Sequence, residues 1–116
     1  MSNMKNLHEV CQELGVTRRA VQGYELRGLV KPSARNKYGH LLYDAKTRKR
    51  ISVIKDYQRL GFSLKEIETL IDAPSQEVMD ALEKQVIKLQ EERDEKAALI
   101  DMARSWIDSI QGRGRN

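Results

Sequence analysis

Cysteine is almost missing from these 116 residues: Cys11 stands alone, and the only histidines are His8 and His40. An internal disulfide is therefore impossible, and no ligand spacing for a metal cluster exists. There is also no plausible nucleophile–base set and no glycine-rich phosphate loop, so the chain is expected to be no enzyme and to carry no cofactor. Aromatic residues make up 5% of the sequence against 40% hydrophobic overall, which implies a small aliphatic core. Cys11, on the apolar face of a helix, reads as part of that core. No apolar run is long enough to cross a bilayer and no signal-like start is visible, so a cytoplasmic protein without membrane contact is expected.

Charge is plentiful but unevenly divided. The formal net charge is +4, yet residues 1–60 carry 13 Lys+Arg against 5 Asp+Glu, a balance of +8. Residues 61–116 carry 8 against 12, a balance of −4. A basic front and an acidic back fit a polyanion-binding head on a self-associating stalk better than a uniformly charged surface.

The stretch from Leu7 to Leu29 reads as two short helices joined by a tight turn. Asn6 with Glu9 three residues on is a capping box, and Leu7, Val10, Cys11 and Leu14 give the first helix one apolar face. Gly15 ends it, and Thr17 caps a second helix that runs to Arg27 and is closed by Gly28. This pattern predicts a helix-turn-helix. Val21, Leu26 and Leu29 are expected to face inward. Arg18, Arg19 and Gln22 fall near the exposed N-terminal end of the second helix, where such motifs meet base edges and phosphates in the major groove.

Pro32 stops the helix, and Asn36 to Gly39 supply turn residues between two strand-like pieces. The expected β-hairpin carries Arg35, Lys37, Tyr38 and His40 at its tip, a cationic and aromatic load suited to a wing on the sugar-phosphate backbone. Asp44 caps a helix over about 45–60, with Ile51, Ile54, Tyr57 and Leu60 inward. Lys46, Arg48, Lys49 and Arg50 crowd its start, where cations oppose the helix dipole, so they read as long-range attraction for an anion. Ser63 and Glu66 form a second capping box for a short helix with Leu64, Ile67, Leu70 and Ile71 inside.

From Gln76 to Gln111 neither proline nor glycine intervenes, which predicts a rod of roughly 50 Å. Alternating steps of three and four pick out Met79, Leu82, Val86, Leu89, Arg93, Lys96, Ile100, Ala103, Ile107 and Ile110, of which eight are apolar. A seam with that repeat wants a second helix, and a homodimer through it is expected. The polar pair Arg93 and Lys96 near the middle fixes register in either orientation, with Glu91, Glu92, Asp94 and Glu95 near enough to neutralise it. Met102 and Trp106 beside the seam read as interface packing. The expected domains are thus 1–74 for a winged head, 75–111 for the dimerisation helix and 112–116 for a flexible basic tail.

Taken together these features resemble the MerR family of bacterial transcription regulators. The likeness covers Met4 to about Leu70: the helix-turn-helix, Tyr24-Glu25 followed by Gly28-Leu29, the wing ending in Gly39 and Tyr43, and the junction Gly61-Phe62-Ser63-Leu64-Lys65-Glu66-Ile67. It implies a mainly α fold with a winged helix-turn-helix head and a long C-terminal helix forming an antiparallel coiled coil. It also implies a dimer on double-stranded DNA at a pseudo-palindromic promoter site, distorting that site so that RNA polymerase engages. In that setting Arg18, Arg19 and Gln22 would read the major groove, Thr17 and Tyr24 would touch phosphate, and Arg35, Lys37, Tyr38 and His40 would make the wing contacts. The seam residues from Met79 to Ile110 would hold the dimer. Little sequence follows the rod, so a short member lacking an effector domain is expected.

Two departures stand out. The family's Leu-Arg-Tyr-Tyr-Glu is replaced by Val21-Gln22-Gly23-Tyr24-Glu25, and its wing Gly-Tyr-Arg-x-Tyr by Gly39-His40-Leu41-Leu42-Tyr43. With Gly23 where a DNA-facing tyrosine is usual, the alternative is a MerR-like protein-interaction or chromosome-anchoring module.

Overall fold

A computed structural model describes residues 3–114. The described residues are mainly helical, and they divide into two units, Met1–Ala73 and Pro74–Asn116. The first unit opens with strand β1, Lys5–Asn6, and helix α1, Leu7–Leu14. Asn6 and Glu9 form the reciprocal capping box, with the Glu9 amide donating to Asn6 Oδ1 at 2.9 Å. Gly15 ends α1 at φ 63°, a left-handed geometry that only glycine adopts without strain. Lys55 Nζ donates to the Leu14 carbonyl at 2.8 Å and closes that helix end.

Helix α2, Arg18–Leu26, starts from Thr17, whose Oγ1 accepts from the Ala20 amide at 3.0 Å. Strands β2, Ala34–Arg35, and β3, Leu41–Tyr43, form the hairpin. β3 also pairs with β1, so the sheet order is β1-β3-β2, antiparallel throughout, with Lys5 opposite Tyr43 and Arg35 opposite Leu41. The third strand is not visible in the sequence pattern, because two residues give no periodicity to read.

Helix α3, Ala45–Arg59, is capped by Asp44, and α4, Leu64–Leu70, by the Ser63–Glu66 box. The core gathers Val10, Val21, Tyr24, Leu29, Val30, Tyr43, Ile51, Ile54, Phe62, Ile67 and Leu70. Phe62 meets Tyr57 edge-on at 5.6 Å between ring centroids. Burying each large aliphatic contributes about 1.5–3 kcal/mol, which is what fixes α3 and α4 beneath the helix-turn-helix.

Two inward assignments need correction. Leu26 is 89% exposed, and Leu60 is also exposed. On α2 each residue turns by about 100°, which puts Leu26 roughly 140° round from Val21, on the opposite face from the Val21–Tyr24 pair. Leu60 has fallen off the buried stripe for another reason: it is the C-cap of α3, beyond the last helical turn.

The basic cluster on α3 is likewise not a free field. Arg48 is buried and donates to the carbonyls of Asn3 and Tyr43, the latter at 2.8 Å. Arg50 bridges to Asp72 with two hydrogen bonds of 2.8 and 2.9 Å and also donates to the Leu29 carbonyl. That guanidinium holds the Asp72 carboxyl below the usual carboxylate range. Two of the four cations therefore serve packing and leave Lys46 and Lys49 outward.

Helix α5 spans Ser75–Arg113, 39 residues or roughly 58 Å. It takes in Gly112 and Arg113, the first two residues of the expected 112–116 tail; Arg115 and Asn116 lie outside the described residues. None of its residues is fully buried. Met79, Val86, Leu89, Ile100, Ile107 and Ile110 are all exposed, as are Met102 and Trp106. Among the described residues no helix is long and apolar enough to cross a membrane.

Candidate nucleic-acid interface

Arg18, Arg19 and Gln22 are exposed on α2, and among the described residues none of their side chains makes a hydrogen bond or ion pair. Their side chains stand at the N-terminal end of the helix, where the unpaired backbone N–H groups also favour an anion. Thr17 uses its hydroxyl oxygen as the cap, and the hydroxyl proton can still be given to a phosphate oxygen. Arg27, at the other end of α2, is tied to Glu68 at 3.0 Å and points away from this duty.

Tyr24 does not belong to the surface. It is 2% exposed, and its hydroxyl donates to Gln58 Oε1 at 2.6 Å. The expected phosphate contact is therefore corrected: Tyr24 lies on the Val21 side of α2 and anchors it to α3. Burial pushes its phenol above the ordinary tyrosine range. Tyr43 is the second anchor. Its hydroxyl donates to the Glu25 carboxylate, and burial first, then that bond, raises it further. Tyr24→Phe is expected to lower stability by about 1 kcal/mol, the worth of one ordinary hydrogen bond. The salt dependence of DNA binding should stay unchanged; chemical denaturation and a salt titration read the two effects separately.

Gly23 leaves a bare gap on the outward face. A Cβ placed there meets nothing within 4 Å. Gly23→Ala is accordingly expected to stabilise the protein by about 1 kcal/mol, the helix-propensity difference, visible as a rise of several degrees in Tm.

The hairpin tip is built by Asn36. Its Oδ1 accepts from the amides of Tyr38 at 2.9 Å and His40 at 3.0 Å, and its carbonyl accepts from Gly39 at 3.0 Å. Gly39 sits at φ 81°, which a side chain would strain. Arg35 Nη1 donates to the Gly39 carbonyl at 2.7 Å and so lies back along the turn. Lys37 Nζ rests 5.1 Å from the Tyr38 ring centroid, and the Tyr38 and His40 rings are 6.4 Å apart. Tyr38 is 72% exposed.

Between hairpin and helices lies an open groove of about 430 Å³, lined by Asn6, Leu7, His8, Arg18, Arg35 and His40 with the backbone at Gly39 and Leu41. It brings α1, α2 and the wing onto one cationic surface. His8 is the member that the pattern of residues did not single out; only its place at the start of α1 could have pointed to it.

A helix-turn-helix whose free cationic end stands beside a basic hairpin defines a winged DNA-binding module. Comparison with known proteins narrows the class. The family model described as "MerR HTH family regulatory protein" matches residues 6–74, and "MerR, DNA binding" matches residues 48–105. The chain belongs to the MerR family and is a MerR-type transcriptional regulator with a DNA-binding domain.

A probable heavy metal-dependent transcriptional regulator of Haemophilus influenzae is 26% identical over 113 residues, 92% of this chain and 88% of that protein. Among solved structures, a MerR family transcriptional regulator from Bacillus cereus has a TM-score of 0.74 at 28% identity, covering 84% of this chain and 75% of the other. HiNmlR, a MerR family regulator lacking the sensor domain and bound to promoter DNA, shares the fold at a TM-score of 0.70 and 19% identity, over 84% and 79% of the two chains.

Proposed function

We infer that this chain works as a homodimer that binds a pseudo-palindromic promoter site in double-stranded DNA. Arg18, Arg19 and Gln22 read the major groove of each half-site, and Thr17 holds a phosphate. Arg35, Lys37, Tyr38 and His40 grip the flanking backbone. The single observation that carries this is the set of unpartnered polar side chains at the N-terminal end of α2, next to the wing groove.

Pairing is supported by α5. Its seam residues are symmetric about a centre between Asp94 and Glu95, so an antiparallel partner sets Met79 against Ile110 of the partner subunit. Leu82 then meets Ile107 of the partner subunit, Val86 meets Ala103 of the partner subunit, and Leu89 meets Ile100 of the partner subunit. Arg93 and Lys96 meet at the middle among Glu91, Glu92, Asp94 and Glu95, where a polar pair fixes register. The dimer distorts the spacer between promoter elements and so lets RNA polymerase engage, at a deformation cost of several kcal/mol offset by backbone contacts.

Each neutralised phosphate contributes a slope of about −0.9 to log K against log salt. Arg18, Arg35 and Lys37 in two heads therefore give roughly −5 on duplex DNA if all are engaged. Selection of a site from random oligonucleotides, followed by a salt titration on it, tests the reading. Absence of any duplex binding at low salt would favour the protein-interaction or chromosome-anchoring module instead, with the bare Gly23 gap as its signature.

A further inference from the structure

Both histidines of the sequence line one groove, although they come from different elements: His8 from α1 and His40 from the hairpin. Arg18 and Arg35 line it too. We propose that this groove seats one backbone phosphate with His8 and His40 as proton-taking ligands, so that each head binds DNA with uptake of protons. The proposal rests on the DNA-binding reading above and adds to it a dependence on pH.

The charged groups around the two imidazoles point the same way. From α2 comes Arg18; from the hairpin come Arg35 and the Tyr38 phenol, whose ring is 6.4 Å from that of His40 and carries Lys37 Nζ 5.1 Å from its centroid. Lys5 on β1 is engaged by the Glu13 carboxylate. Glu9, next to His8, has its Oε1 taken by the Asn6 amide at 3.0 Å. No carboxylate is among the residues that line the groove. An anion that enters is therefore met by cations and by two groups able to become cations, with no acid of the protein's own in the way.

Histidine is the side chain whose charge ordinarily changes between about pH 5 and 8. A phosphate within a few ångströms favours the imidazolium over the neutral ring. The bound head then holds more protons than the free head. By linkage, affinity is highest at low pH and falls as pH rises through the neutral range. Two imidazoles allow a slope of log K against pH as steep as about −2 per head. A protonated imidazole can give both N–H groups away, one to the phosphate and one to solvent or backbone, whereas the neutral ring keeps only one donor.

The test is a titration of a labelled random-sequence duplex at constant ionic strength in EDTA, from about pH 6 to pH 8. It uses the full chain, His8→Gln, His40→Gln and the double variant. The unaltered protein is expected to lose about tenfold or more in affinity over that range, and the double variant to lose much less, with the single variants between. Calorimetry in two buffers of different ionisation enthalpy should show proton uptake by the unaltered protein and little by the double variant. Both positions are exposed, and matching melting temperatures would establish that the variants are folded. If the unaltered protein and the double variant bind with the same pH slope, the inference is overturned while DNA binding stands. If neither binds a duplex at any pH, the DNA-binding reading itself fails and this inference falls with it.

Discussion

Replacing Leu89 and Ile100 together by glutamate is expected to leave a monomer whose affinity for a two-half-site duplex has dropped by about two to four orders of magnitude. The two side chains are 38% and 53% exposed. In the proposed antiparallel register Leu89 faces Ile100 of the partner subunit on either side of the Arg93–Lys96 centre. Each buried aliphatic contributes about 1.5–3 kcal/mol, and the symmetry of a dimer counts every substitution twice. The glutamates add to that loss, because a carboxylate enclosed among apolar seam residues without a partner is expensive. The second head then no longer benefits from being tethered to the first, and the two half-sites bind independently. Sedimentation equilibrium reads the oligomeric state, and fluorescence anisotropy reads the affinity. A variant that stays dimeric, or an unaltered protein that is already monomeric, would remove the pairing from the account.

Arg18→Ala and Arg19→Ala are the next largest expected effects. A side chain that touches a base edge is worth ~1–3 kcal/mol, which is a loss of roughly 5- to 150-fold in affinity for the selected site and a relaxed preference at one base pair. A side chain that touches only phosphate should instead weaken binding evenly across sequences and reduce the salt slope by about one unit. The two arginines are distinguishable on this basis. Both stand at the major-groove end of α2 and are expected to show the base pattern, and because Arg18 also lines the wing groove and Arg19 does not, Arg18→Ala alone is expected to reduce the salt slope as well. A double variant that leaves both affinity and slope unchanged would mean that α2 does not enter the groove.

What the sequence made legible is local chemistry. Caps at Asn6, Thr17, Asp44 and Ser63 were readable because a cap is decided by residues three apart. The hairpin was readable from Asn36 to Gly39, since a turn needs its own residue types. Side-chain partners far along the chain were not. Arg48 and Arg50 looked like solvated charge because the carbonyls of Asn3 and Tyr43, and the carboxylate of Asp72, come close only once α3 has packed. Tyr24 looked like a surface phenol because tyrosine suits a core and a phosphate equally, and its angular place beside Val21 decides the matter. Leu26 was drawn inward by its apolar identity, although the helix period places it outward. His8 escaped notice because its neighbours in the groove lie on α2 and the hairpin.

The middle strand of the small sheet ties the wing to the start of the helix-turn-helix, since β3 is bonded to β1 on one side and to β2 on the other. Arg48 fastens the same join from beneath through the Asn3 and Tyr43 carbonyls. Wing and reading helix thus behave like the two jaws of a caliper locked at one opening. Surfaces fixed in advance lose little ordering entropy when a target is seated between them. On the docking proposed above, a duplex whose backbone does not match the fixed gap is expected to bend or be refused, so that the stiffness of the DNA enters recognition at base pairs no side chain reaches.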